Sequence, residues 1–477
     1  MQAQSITGRV LTHPGRRPAL RGATVAIAED RIAAIDSRAG ATGDDLLIMP
    51  ALADAHDHGR GLRTIAFVQD QPLELWLPLL GREPLVDPYH RAAVAFGHLA
   101  RSGVAAINHC HNPQRLASLV EEAEGVARAA RDVGVRVAFA VPMRDRNYLA
   151  LGDQAPLAAA LGQADFKALG ERIVRIGIDE QLAWVDQIAA FEHPLFHVQY
   201  GPVAPQWCSD MLLERIAAAS AATRRRIHMH LFETQRQRQW ADAHYPDGLI
   251  QRLDEIGLLS ERLTVAHGVW LRRDECELLA ARGVTVSVNT SSNLRLGSGV
   301  APVRAFEAAR LSWAIGLDGM AFDDDADALR EMRLAWCQQR GAGLEPALRR
   351  GELCDAMFIN GRRTVTPVPG GAIEPGLAAD LMLIDYARMA QDMLDGDADE
   401  LELVLNRGRK KYVRDLIVAG RRIVADGKLR SIDLAAAEAE LLAQARRAWP
   451  GTQAADGLRH RHRHALARFY ACGCHRS

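Results

Sequence analysis

The sequence predicts an α/β fold: a (β/α)8 barrel of the TIM type, with a small β-sandwich domain formed from both chain ends. Three observations carry this reading. Through the middle of the chain, short apolar or β-branched runs alternate with helical stretches, eight times in all. Such alternation makes a parallel sheet, and eight units close it into a barrel. The polar and ionisable residues gather where these runs end, at the mouth where barrels of this kind place their sites. The two chain ends share a different rhythm of short strands and turns.

Taken in order, residues 1–45 read as strands and turns, SITGRVLTH and then ATVAIAEDRIAAIDS, with apolar and polar residues roughly alternating. The same style returns in AADLMLIDYA (378–387) and YVRDLIVAGRRIVADGKL (412–429). The expected composite domain is therefore 1–49 with 362–430, and the barrel spans 50–361. Its strands are the run ending in DAHDH at residue 58, then VAAINHCH (104–111), VRVAFAVPMRD (135–145), LFHVQYGP (195–202), RRIHMHLFE (225–233), LTVAHGV (263–269), VTVSVNTS (284–291) and SWAIGLDG (312–319). Residues 431–477 read as a surface helix and a basic, His- and Cys-containing tail. His460, His462, His464, Cys472, Cys474 and His475 are metal-binding types, but a mobile solvated tail is the expected state. FDDDAD (322–327) reads as an acidic helix start.

Composition narrows the function. The chain has 477 residues, 48% hydrophobic and 25% charged, with a net charge of −1. That balance gives no reason to expect nucleic acid or an anionic membrane as partner. No apolar run reaches the roughly 18 residues that span a bilayer, and no signal-peptide core is visible. Seven scattered cysteines suggest reduced thiols and a cytoplasmic location. A homo-oligomer, a dimer, is the expected assembly.

The chemistry starts at His56-Asp57-His58. On a strand, side chains two apart share a face, so the two imidazoles look the same way. Strand five ends in His228-Met229-His230-Leu231-Phe232-Glu233, strand six in Ala266-His267, strand eight in Leu317-Asp318-Gly319. Three imidazoles and a carboxylate with a position left open are what a catalytic divalent ion needs. Such an ion lowers the pKa of bound water from about 16 to near 7.

These motifs resemble the amidohydrolase superfamily, in its cytosine deaminase, S-adenosylhomocysteine deaminase and triazine hydrolase branch. The resemblance lies in PALADAHDH (50–58), DQPLELWL (70–77), GPVAPQWCSD (201–210), HMHLFET (228–234), AHGVWL (266–271), SSNLRLGSGVAPV (291–303), LDG (317–319), EMRLA (331–335) and EPGLAADLMLID (374–385), and it runs to about residue 430. It implies one divalent metal ion, Zn2+ or else Fe2+, held by His56, His58, His230 and Asp318. Glu233 would carry a proton to the leaving group, His267 would polarise the substrate or hold the attacking water, and Asp318 would take that water's proton. No lysine follows strand four, where binuclear relatives carry one, so one ion is expected. His228 is expected to be a hydrogen-bonded histidine of the barrel interior; His193, His197 and His244 fit no motif.

The implied activity is metal-dependent hydrolysis, in which hydroxide on the ion attacks an sp2 carbon of a small nitrogen heterocycle and expels ammonia or another leaving group (amine, chloride or sulfide). Opening of a cyclic amide is the alternative within the enzyme class, and a non-catalytic binding protein a remote one. The chain departs from the branch at Val203 and at Val288-Asn289, where relatives often carry histidines. Arg144 and Arg146, past strand three, are the expected anchor for a carboxylate-bearing substrate, or a loop paired with Asp145. His109, facing the mouth with His111, and Gln199, Asn293 and Trp76 complete the expected substrate contacts.

Overall fold

The computed structural model describes residues 4–37, 45–146, 149–394 and 398–476. Its centre is an eight-stranded parallel sheet whose order in space is its order in sequence. The strands are Leu52–Asp57, Val104–Cys110, Arg136–Met143, Phe196–Pro202, Ile227–Leu231, Leu263–His267, Thr285–Val288 and Ser312–Ile315. They are buried on both faces, as expected of a sheet filled on one side and covered by helices on the other. The first and last strands meet through the Asp318 amide, which donates to the His56 carbonyl at 2.8 Å, and the Leu317 amide, which donates to Asp54 at 3.0 Å. Gly316 permits that approach: a Cβ there would lie 2.9 Å from the His56 nitrogen and 2.6 Å from the Ser287 hydroxyl. Closure thus brings His56, His58 and Asp318 side by side.

A second eight-stranded sheet draws on both chain ends. Its order is Lys428–Leu429, Arg421–Ala425, Val413–Val418, Leu381–Asp385, Leu46–Pro50, Gln4–Val10, Leu20–Ala28 and Arg31–Ser37. It is one continuous sheet folded over. The Ile32 amide donates to the Leu377 carbonyl and the Ala379 amide to Asp30. Ile6, Val25, Ile27, Ile48, Leu383 and Ile417 lie in the core so enclosed. The run from Leu46 onward is therefore two strands: Leu46–Pro50 pairs in the outer sheet, and Leu52–Asp57 begins the barrel.

The tail differs from expectation. It is a helix, Asp456–Ala471, that follows Leu434–Gln453. Its Leu466 and Phe469 are buried against Leu157, Leu149 and Phe166 of the region after strand three. His462 is buried, and Cys472 and Cys474 form a disulfide, while Cys110, Cys208, Cys276, Cys337 and Cys354 are free thiols. The apolar positions Ala465, Leu466 and Phe469 explain the docking, because they share one helix face among the basic residues. No helix among the described residues is long and apolar enough to cross a membrane.

Candidate metal centre and active site

His56, His58 and His230 stand at the strand ends with one ring nitrogen each tied down. His56 Nδ1 lies 2.7 Å from His228 Nε2, His58 Nδ1 bonds the Cys110 carbonyl at 2.7 Å, and His230 Nδ1 bonds the Val203 carbonyl at 2.7 Å. The backbone carbonyls accept, so His58 and His230 carry their protons on Nδ1 and turn Nε2 inward. The Nε2 atoms of His56 and His58 are 3.2 and 3.1 Å from one oxygen of Asp318. Ring centroids of His56 and His230 are 4.9 Å apart, those of His58 and His230 5.5 Å. His56 Nε2 is buried without a hydrogen-bond partner. Converging imidazole nitrogens and a carboxylate, one of them unsatisfied, fit a divalent ion of the zinc type.

Electrostatics agrees with that fit. Burial, acting against the attraction of Asp318, pushes His56 and His58 down to about 4, and His230 down to about 3, so all three imidazoles are neutral at pH 7. Burial alone would raise Asp318, but His56 and His58 outweigh it and hold the carboxyl well below its usual range. Its other oxygen accepts from the Ser292 hydroxyl at 2.5 Å. His267 and Asp318 both adopt left-handed backbone, φ 76° and 61°, and Phe232, before Glu233, has φ 48°. Non-glycine residues in this region are uncommon and cluster at functional sites.

Glu233 sits beside His267, its Oε2 3.7 Å from Nε2. His267 Nδ1 is 3.0 Å from Asn293 Oδ1, which orients the ring toward the cleft. Burial pushes Glu233 up to about 7, with His267 opposing and the carboxylates of Asp318 and Glu74 adding to the rise. A carboxyl that exchanges a proton near neutral pH is suited to general acid–base work.

Several expected substrate contacts are placed otherwise. Ala106 belongs to the barrel interior with Ala53 and Ala138. By strand alternation Asn108 and Cys110 then face inward and His109 and His111 outward. His109 accordingly packs on Phe96 and Phe139, bonds His111 at 3.1 Å, and His111 bonds Glu122 at 3.0 Å. It makes no wall of the site; Cys110, whose sulfur lies near His56 and His230, does. Gln199 is inside the barrel but donates to Asn108 at 2.5 Å, one layer below Cys110. Asn293 is engaged with His267. Arg146 is hydrogen-bonded to Tyr245 beside Asp210. Arg144 is exposed, and Asp145 instead accepts from the Ser209 amide and hydroxyl. Arg146 is thus engaged with Tyr245, while no side-chain hydrogen bond ties Arg144 among the described residues. Trp76 is buried on the segment after strand one, beneath the Arg60 guanidinium at 5.2 Å.

Some contributors were not singled out from the sequence. Ser292 and Glu331 belong to quoted motifs, yet only the structure pairs Ser292 with Asp318 and Ser291 with Glu331. Cys110 was legible in principle, from the inward parity of the second strand.

Residues 47–423 match the amidohydrolase family. A 5-methylthioadenosine/S-adenosylhomocysteine deaminase of Pyrococcus furiosus is 28% identical over 392 residues, which is 81% of this chain and 85% of that protein. An adenosine deaminase structure from Xanthomonas campestris with bound zinc superposes with a TM-score of 0.75 at 24% identity, covering 95% of this chain and 98% of that one. A zinc complex of an atrazine chlorohydrolase variant from Arthrobacter aurescens, with atraton, gives 0.78 at 21% identity, over 92% and 99%. At these identities the structural likeness speaks for the fold.

Proposed function

The chain belongs to the amidohydrolase family, and from that premise we propose that it hydrolyses an amino-substituted nitrogen heterocycle, releasing ammonia. One observation carries the reading: a seat of three neutral imidazoles and an ionised carboxylate, with a proton-exchanging carboxyl 3.7 Å from a fourth imidazole. His56, His58, His230 and Asp318 would hold one divalent ion, for which Zn2+ is the preferred identity. The ion would supply a nucleophile at neutral pH and polarise the reacting carbon's substituent.

The residues divide the remaining work. Water oxygen adds to the ring carbon, and Asp318 receives one of its protons. Glu233 delivers a proton to the exocyclic nitrogen, the C–N bond breaks, and ammonia leaves with the bonding pair. His267, fixed by Asn293, stabilises negative charge as it develops on the reacting centre. The ring stays closed and gains one oxygen in place of nitrogen.

The relatives named for 5-methylthioadenosine and adenosine support a purine-type ring as the first class to test. For an acid-bearing substrate, Arg144 would be the anchor, since Arg146 is held by Tyr245. The test is an ammonia-release screen over aminated purines, pyrimidines and triazines in 18O-labelled water. The expected product keeps its ring with one labelled oxygen. Ring-opened product would replace this reading with cyclic-amide hydrolysis.

A further inference from the structure

Between the barrel and the helix Leu434–Gln453 lies a cavity of about 580 Å³, within the size range of small-molecule sites. It takes no side chain from the metal seat. Asp57, Leu317 and Gly319 line it, and they alternate with His56, His58 and Asp318 along the same two strand ends. The cavity therefore backs onto the seat from the opposite face. Its apolar surface comes from Val94 and Leu99 on the first barrel helix, Pro88–Arg101, and from Leu441, Ala445 and Trp449 on Leu434–Gln453.

Arg60 stands in this wall, and its Nε and Nη1 are buried with no hydrogen-bond partner. Glu83, Asp318 and Asp57 attract it from nearby, but none of them hydrogen-bonds Nε or Nη1. Asp57 accepts from the Gly59 and Gly319 amides at 2.6 and 2.8 Å, and Glu83 pairs with Arg91 at 3.0 Å. Asp324 pairs with Arg295 at 3.0 Å and Glu438 with His98 at 2.5 Å. The Trp76 ring orients the guanidinium plane at 5.2 Å but does not neutralise its charge. Arg63 and Arg446 add positive charge at the exposed rim. Two buried guanidinium nitrogens without an acceptor are costly, and a ligand that supplies the acceptors is an anion.

We propose that this cavity is a second binding site, for a small amphipathic monoanion. Its apolar body lies on the helix surface, and its carboxylate makes a bidentate contact with Arg60. The site is placed to regulate turnover. Asp57, which an occupant touches, bonds the amides of the residues that directly follow His58 and Asp318, so occupancy bears on the geometry of two metal ligands.

The probe is decanoate, titrated calorimetrically into the full-length, zinc-loaded protein, with decanol and decylammonium as neutral and cationic matches. Decanoate is expected to saturate at one equivalent with Kd below about 1 mM, the other two binding at least about tenfold more weakly. Trp449 fluorescence should report the event, and Trp449→Phe should remove that signal. Arg60→Met should erase the preference for the acid, and Ala445→Phe should block binding by filling the cavity. Binding must also survive removal of zinc by chelator, with folding followed by circular dichroism. Absence of saturable binding, equal binding of acid and alcohol, or a preference that outlives Arg60→Met would overturn the proposal. So would loss of binding with the metal, since the acid would then be a ligand of the ion.

Discussion

His56, His58 and His230 each spend one ring nitrogen on a fixed partner, and those partners decide how well the seat is preorganised. The partner of His56 is the only side chain among the three, His228 at 2.7 Å. His228→Ala should leave the four proposed ligands in place but free the His56 ring, and weaken zinc binding by about 10–100-fold, the usual cost of losing an outer-shell partner. Chelator competition measures it; unchanged affinity would reduce His228 to barrel packing. Glu233 is tested differently. Glu233→Gln should retain about one equivalent of metal by elemental analysis while kcat falls by about 10²–10⁴. Metal loss in that variant would make Glu233 a ligand, and near-normal turnover would remove it from proton transfer. The sequence announced these residues because two-residue spacing at a strand end leaves little freedom. It misplaced His109 because INHCHN is compatible with either parity, and the strand turns Asn108 and Cys110 inward instead. Parity was readable from Ala106, a small residue of the kind that fills a barrel interior, but nothing local to His109 fixed it.

Among the elements, the last helix departs most from what its composition suggests. Asp456–Ala471 is rich in arginine and histidine, yet it straps two segments beside the barrel mouth. Arg463 donates to the Leu75 carbonyl at 2.9 Å and Arg459 to the Gly81 carbonyl at 2.5 Å. The Tyr470 hydroxyl accepts from the Leu151 amide at 3.1 Å. The first segment carries Trp76 and also Glu74, which accepts from the Thr234 hydroxyl at 2.6 Å, next to Glu233. Deleting residues 455–477 should therefore keep the metal but loosen the cover of the site. Turnover per bound metal should fall by about tenfold or more, read from steady-state kinetics beside elemental analysis; unchanged kinetics would make the helix a mere surface addition. The tail looked solvated because side-chain charge masks the three apolar positions that dock it. The acidic run 322–327 shows the converse. Only Asp327 caps the helix Ala328–Gln339, accepting from the Arg330 amide at 3.3 Å, whereas Asp324 pairs with Arg295 and Asp325 with Arg330 and Lys410. Such long-range partners lie outside any local pattern.

Across the whole molecule, the barrel and the outer sheet are joined at Asp380. Its backbone carbonyl accepts from the Ala51 amide at 3.0 Å, where the chain passes from one sheet to the other. Its side chain accepts from Arg136 of the third barrel strand at 2.9 and 3.3 Å, from Arg362, and from the Ala419 amide at 2.6 Å. Burial alone would raise this carboxyl, but Arg362 and Arg136 outweigh it and hold it at about 2. A folded value below the unfolded one, about 3.9, means that protonation favours unfolding. The stabilisation is complete above the unfolded value and is lost as pH falls through the folded value. Asp380→Asn leaves two buried guanidinium groups without their counter-charge, a change that typically costs about 3–5 kcal/mol. Denaturant titration at pH 7 should show that loss. Because the variant lacks the titrating group, its deficit against the parent should hold above about pH 4 and narrow as the pH drops toward 2. A deficit that is small at pH 7, or that stays constant down to pH 2, would mean that the two sheets are held together by their apolar contact and not by this charge.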